Sequence, residues 1–374
     1  MAWIDILRAG GRRAAVAQGL FAVAWLGFGA FQGIEALNGA PARERLAPTL
    51  NREALLAGRT AGAINHVMAH ELPVDGWLRM AGGAVRYALG SGGPQVSVGC
   101  DDWLYLTEEL RPWDGADAAM ARRVAGIARL REALAERGIL LLVTTSPDKA
   151  RVHPEHLCGA PLSHQARGRH MAFLAAAEAQ GLPVVDSLPV LRAARVRGDT
   201  YLRTDSHWNR AGATAVAEAI ARAASPGAFR HEEGFRRIEP PAAEHAGDLL
   251  RLMSLDTAPD WLRPLADTYS ATSVQAPEAE GGLLDEAPVP EVVLLGSSYS
   301  LNGDFHGALQ LALGTRVANF GQAGGGVSGG AMRYFASPAW RENPPRLVIW
   351  EVLERALGQP IGAEEAAFLE RPLR

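Results

Sequence analysis

The sequence predicts an α/β fold built on a mostly parallel sheet. Three observations carry that expectation. Short continuous apolar runs alternate with amphipathic helical stretches. The runs lack polar alternation, as strands buried on both faces do. Two polar motifs fall where such sheets place chemistry: "GSSYS" ends a strand, and "DSHW" lies in a loop before a helix.

In chain order, Arg8, Arg12 and Arg13 precede an uncharged stretch from Ala14 to Ile34. As a helix this stretch spans about 30 Å, the thickness of a bilayer core. Arginines before it and none within it place the N-terminus in the cytoplasm and the remainder outside. A cleaved signal peptide and a buried helix are the other readings. The stretch is long for a signal, and no clean small-x-small site follows it, so an uncleaved anchor over residues 1–37 is expected. Residues 38–95 are mixed, with no clear repeat. "GCDDWLYL" (Gly99–Leu106) reads as a turn and a short aromatic strand.

Asp117–Gly138 reads as an amphipathic helix closed by glycine, and Ile139–Val143 as a buried strand. A helix from about Gln165 to Gln180 and the short strand Pro183–Asp186 follow. Asn209–Ala224 is again helical. Residues 239–290, rich in Pro, Ala and acids, read as a long excursion with one strand, "YSATSVQ" (Tyr269–Gln275). "EVVLLGSS", "RVANFG" and "RLVIWEVL" then supply three more buried strands.

A net charge of -4 and the lack of a long basic run give no electrostatic reason to expect nucleic acid. Cys100 and Cys158 are the two cysteines. An exported chain permits one disulfide between them; two unpaired buried thiols is the other reading. No CxxC spacing suggests zinc, and His153 and His156 lack a third ligand at suitable spacing, so no metal is expected. His66 and His70, at helical spacing, read as solvated face residues.

The chemistry rests on two motifs. Gly296-Ser297-Ser298-Tyr299-Ser300 follows the apolar run Val292–Leu295, and a serine on a sharp turn after a strand is lifted above the sheet. The pattern is G-x-S-x-S, a partial match to a nucleophile elbow, and helix capping would also use these serines. A serine hydroxyl needs a neighbouring base. The only histidine after Ser298 is His306, eight residues on, so the α/β-hydrolase order of Ser, acid, His fails. The base must come from upstream, and "TDSHWNRAG" offers His207, with Asp205 to orient it. On an extended segment these two side chains leave the same side. "NFGQAGGGVSGG" (Asn319–Gly330) fits neither a Walker loop nor a dinucleotide fingerprint. Its backbone amides could serve an oxyanion; a flexible turn is the plain alternative.

"TDSHWNRAGA" with "LLGSSYS" far downstream resembles the SGNH-hydrolase-like acetyltransferases of the alginate O-acetylation type (AlgJ/AlgX-like). "GCDDWLYLTEEL", "SPDKARVHPEHL", "GDLL" at Gly247, "NFGQAGGG" and "PRLVIWEVLER" extend the resemblance from about Gly99 to Arg355. It implies an SGNH-like domain over 96–374, preceded by a periplasmic segment over 38–95. It implies Ser298 as nucleophile, His207 as base, Asp205 as its orienter, and Ser298, Gly324 and Gly325 as backbone candidates at the oxyanion. Trp208, Tyr299 and Arg333 are substrate-contact candidates, each as apt to pack or face solvent. No cofactor is implied.

The resemblance further implies an inner-membrane anchor and a periplasmic catalytic domain. The partners would be a membrane-bound O-acyltransferase supplying acetyl, other exopolysaccharide export proteins, and a polysaccharide acceptor, with alginate and cellulose among the candidates. The sequence ends at Arg374, soon after "VIWEVLER", so the member without a carbohydrate-binding domain is expected. The expected reaction moves acetyl onto sugar hydroxyls through an acetyl-serine. A carbohydrate acetylesterase and a non-catalytic scaffold are the alternatives.

Overall fold

A computed structural model describes residues 2–225, 227–277 and 288–373, with side chains described from residue 15 onward. The side chains of Arg8, Arg12 and Arg13 lie outside that range, as do residues 278–287 of the excursion. Two compact units divide at Gly83 and Ala84.

The first unit is helical. Helix α1 covers Ala2–Asn38, and its Ala15–Asn38 portion is long and apolar enough to cross a membrane. Phe21, Trp25 and Leu26 are more than half exposed on it, which leaves apolar side chains without a protein partner. That is the surface a lipid-facing helix presents. Helix α2, Arg59–His70, packs on α1 through Val67 and Ala36, with Ala42 of the short helix Ala40–Leu46 in the same cluster.

The second unit is an α/β domain. Strands β1 (Val96–Val98) and β2 (Leu104–Leu106) pair antiparallel, the chain reversing through Asp101 and Asp102 in left-handed conformation. Helix α3 (Ala116–Ala135) leads into β3 (Leu140–Ser146), helix α4 (His164–Ala179) into β4 (Val184–Val185). Helices α5 (Ser187–Ala194) and α6 (Arg210–Ala223) follow. The excursion holds β5 (Arg236–Ile238), β6 (Ala243–His245), a short helix Asp248–Leu252, β7 (Asp267–Tyr269) and β8 (Ser273–Gln275). Then come β9 (Val292–Gly296), α7 (Phe305–Leu313), β10 (Val317–Gly321), α8 (Gly329–Ala336), β11 (Leu347–Leu353) and α9 (Ala363–Glu370).

The central sheet has five strands in the order β10-β9-β11-β3-β4, all parallel. Every residue of β9 and β11 is buried, which is why both read as apolar runs, broken in β11 only by Glu351. β3 runs three residues past the expected Val143 because Thr144, Thr145 and Ser146 are buried polar residues at its carboxyl end. Asn209 is the N-cap of α6 and not its first turn; its side chain accepts the Gly212 N–H at 3.1 Å. The single strand expected over Tyr269–Gln275 is two strands. Ser270 and Thr272 break it with a tight turn, so β7 pairs with β6 while β8 pairs with β5.

Cys100 and Cys158 are bonded to each other, with Cα atoms 5.7 Å apart and a separation of 58 positions in sequence. Closing a loop of that length removes unfolded-chain entropy worth about 4 kcal/mol. Reduction with dithiothreitol is therefore expected to lower the thermal midpoint by on the order of 10 °C. An unchanged melting curve after verified reduction would show that the bridge contributes nothing.

Candidate active site

The motif Thr204–Trp208 is a bent loop clamped from five directions. Tyr201 and Trp208 form an antiparallel bridge at its base. Below it, the buried Lys149 donates to the carbonyls of Leu104, Arg203 and Asp205 at 2.7, 2.6 and 2.9 Å. Asp267 accepts from the Thr204 N–H and hydroxyl at 2.8 and 2.7 Å. Asp248 accepts from the Ser206 N–H and hydroxyl at 2.7 and 2.6 Å. Tyr299 donates to the Ser206 carbonyl at 2.6 Å. Gly247 lets the excursion approach: a Cβ there would stand 2.1 Å from the Thr204 carbonyl.

Asp205 and His207 meet through this bend and not through an extended segment. Asp205 Oδ1 accepts both the backbone N–H and the ring Nδ1–H of His207, at 3.0 and 2.6 Å. A carboxylate only accepts, so Nδ1 carries the proton and Nε2 presents its lone pair. His207 Nε2 lies 2.7 Å from Ser298 Oγ. The other carboxylate oxygen, Oδ2, accepts from His245 Nε2 at 3.1 Å and the Asp248 N–H at 3.0 Å. Burial alone would raise the Asp205 carboxyl. The hydrogen bonds from His207, His245 and Asp248 outweigh it and hold the group far below the usual carboxylate range. The same bond to Asp205 raises His245, against a smaller opposing effect of its own burial.

The serine turn follows β9. Glu351 on β11 is fully buried, and its Oε2 accepts from the Ser297 N–H at 2.7 Å, Ser297 Oγ at 2.8 Å and Ser300 Oγ at 3.2 Å. Its Oε1 accepts from Ser146 Oγ at 2.7 Å. Ser297 is thus buried and capping, accepting the Tyr299 N–H at 3.1 Å. Ser298 is the partly exposed serine, and it faces His207. Among the described residues its own N–H has no hydrogen-bond partner, so it is available to a developing oxyanion. Gly296 is required here, since a Cβ would come within 2.2 Å of Ser300 Oγ.

Other expected contacts are placed differently. Trp208 is fully buried between Tyr299 and Phe305, and Tyr299 is fully buried with its hydroxyl engaged, so both pack the site's floor, Trp208 at the base of the cleft beside His207. Arg333 is exposed on α8, over the Phe320 ring, away from the cleft beside His207. The Gly325 N–H donates to the Gln322 carbonyl at 3.1 Å, which leaves it closed to an oxyanion in this conformation. His153 and His156 flank the Trp103 ring instead of converging on a shared ligand position; burial pushes His153 down to about 3. Asp205, His207 and Asp248 lie close enough to share an ion, but Nδ1 is already closed on its carboxylate and Asp248 on Ser206.

Four groups that clamp this site were not singled out from sequence: Lys149, His245, Asp267 and Glu351. Short quoted segments contain Lys149 and Glu351, and "GDLL" marks Gly247 and Asp248, but nothing local marks His245 or Asp267.

A parallel sheet with a serine turn at the end of β9, bonded to a histidine and an aspartate from another loop, defines the SGNH hydrolase-like class. Residues 96–354 match the family described as "SGNH hydrolase-like domain, acetyltransferase AlgX", and the chain belongs to that family. It is 32% identical over 318 residues to the probable alginate O-acetylase AlgJ of Pseudomonas putida, spanning 81% of each chain. The solved O-acetyltransferase domain of Pseudomonas putida AlgJ is similar at a TM-score of 0.66 and 30% identity, over 75% of this chain and 99% of that one. Pseudomonas aeruginosa AlgX is similar in fold, with a TM-score of 0.54 at 23% identity over 69% and 62% of the two chains.

Proposed function

We propose that this chain is an O-acetyltransferase that acetylates hydroxyls of an exported polysaccharide, alginate being the acceptor that its relatives' names suggest. The single observation that carries the mechanism is the bonded series Asp205, His207, Ser298, at 2.6 and 2.7 Å. Ser298 Oγ attacks the acetyl carbonyl carbon, and its proton passes to His207 Nε2. The carbonyl oxygen becomes an oxyanion beside the Ser298 N–H. Collapse expels the donor's leaving group, which takes the proton from His207, and leaves acetyl-Ser298. A sugar hydroxyl then attacks the acetyl carbon as His207 Nε2 takes its proton. The second collapse breaks the ester to Ser298, whose Oγ recovers that proton. Asp205 keeps the imidazole in the tautomer these steps need and stabilises the imidazolium.

The apolar helix α1 would hold this domain at the inner membrane, on the periplasmic side. There a membrane-bound O-acyltransferase would supply acetyl, and other export proteins would present the polymer.

Transfer requires a sugar hydroxyl to beat about 55 M water, which a near-attack geometry achieves with effective molarities of about 10⁵ M. The full-length protein in detergent, given a chromogenic acetate, is expected to release acetate slowly by itself. With alginate oligosaccharides it should divert acetyl to sugar, seen by mass spectrometry as steps of one acetyl. If alginate, cellulose and related oligomers never gain acetyl while acetate accumulates, the protein is an esterase.

A further inference from the structure

A cleft of about 430 Å³ opens beside His207. One wall is the excursion, from Tyr269 to Val274 with His245; the other is the loop Leu301–Gly307 after the serine turn. Its polar lining combines hydroxyls and amides, from Thr272, Ser273, Asn302 and Asn319, with the imidazoles of His245 and His306 and the carboxyl of Asp304. Such hydroxyls and amides suit a hydroxyl-rich ligand such as a sugar.

Asp304 is the anomaly in this lining. It occupies the N-cap of α7, where aspartate ordinarily accepts helix N–H groups, yet its side chain caps nothing. Its φ of 56° is left-handed, an uncommon backbone state for a residue other than glycine. Among the described residues neither carboxyl oxygen has a hydrogen-bond partner, and Oδ2 is buried. Gly307 makes room for this carboxyl, and Gly303 for the Trp208 ring beside it. A Cβ at Gly303 would stand 2.7 Å from the Trp208 ring, and one at Gly307 would stand 2.3 Å from Asp304 Oδ1. Burial pushes the carboxyl up to about 6, against the pull of Arg237 and Arg210.

We propose that Asp304 binds a hydroxyl of the acceptor sugar in this cleft and so presents a neighbouring hydroxyl to His207 and the acetyl-serine. The inference rests on the transferase reading above. Oδ1, the carboxyl oxygen that is not buried, accepts the sugar hydroxyl, and a hydrogen bond to a charged group discriminates strongly for hydroxyl. Asp304 acts on the acceptor and takes no proton in either chemical step.

The test is the partition of acetyl between sugar and water, measured with the full-length protein in detergent, a chromogenic acetate and alginate oligosaccharides. Asp304→Gly suits the left-handed φ and removes the whole side chain, carboxyl included. It should lower the sugar-to-acetate ratio about 10-fold or more at a fixed, subsaturating acceptor concentration, and raise the acceptor KM. Asp304→Asn keeps a hydrogen-bonding group and should fall between. If the wild type acetylates the sugar and Asp304→Gly does so with an unchanged ratio and KM, the assignment to Asp304 is wrong while the transferase reading stands. If the wild type never acetylates sugar, both fall.

Discussion

Ser298→Ala lowers turnover of an acetyl ester by about 10⁵-fold or more, and His207→Ala does the same. The two losses do not add, because either change removes the same activated oxygen. Asp205→Asn leaves the geometry but frees the wrong tautomer, for a loss of about 10⁴-fold. Ser297→Ala is the contrast. Ser297 is buried against Glu351, so removing its hydroxyl leaves a buried carboxylate short of one donor while the backbone N–H still donates, and lowers stability by about 1–3 kcal/mol. Its activity in the folded fraction stays close to normal. Steady-state kinetics on the four purified variants decide this, and an active Ser298→Ala with an inactive Ser297→Ala would transfer the nucleophile role to Ser297.

The second large effect is on folding. Lys149→Met deletes the ammonium that ties the β2 segment and the motif loop together through three carbonyls. Burial pushes this lysine down to about 8, with Glu109, Asp267, Asp205 and Asp248 opposing. Methionine keeps the stem's packing, so the loss is that of the polar contacts. Carbonyls left without their donor cost about 1 kcal/mol or more each, and Glu109 loses a compensating charge in the interior. The expected destabilisation is about 3–5 kcal/mol, a drop of roughly 10 °C in thermal midpoint. Differential scanning calorimetry reads it directly. A shift below about 1 °C would mean that water replaces the ammonium without loss.

Much of the sheet was legible because each strand's signal is local. Val292–Leu295 and Leu347–Leu353 are buried on both faces, and that environment writes an apolar residue at nearly every position. The excursion was less legible. Its strands are three residues long and largely exposed, so neither alternation nor an apolar run marks them. Aromatic residues beside the motifs misled for a related reason. Trp208 and Tyr299 adjoin the reactive groups in sequence, yet the large apolar area of their rings is buried beneath the loop.

What the sequence by itself determined is the kind of chemistry on offer and the scaffold that carries it. An aspartate and histidine two apart before a helix, a serine on a turn after a strand, the strands themselves and a membrane-length apolar helix are all readable within a few residues. Tertiary structure alone decided which serine faces the histidine, since Ser297 and Ser298 differ only in which one Glu351 holds. It also brought His245 and Asp248 to Asp205, Asp267 and Lys149 to the loop, and an uncapping Asp304 to the cleft wall. These partners lie 40 to 63 residues from the groups they hold, apart from Asp304, which caps nothing despite its place at the N-cap of α7. A hydrogen bond needs donor and acceptor within about 3 Å but imposes no spacing along the chain, so such contacts leave no period for a sequence to show.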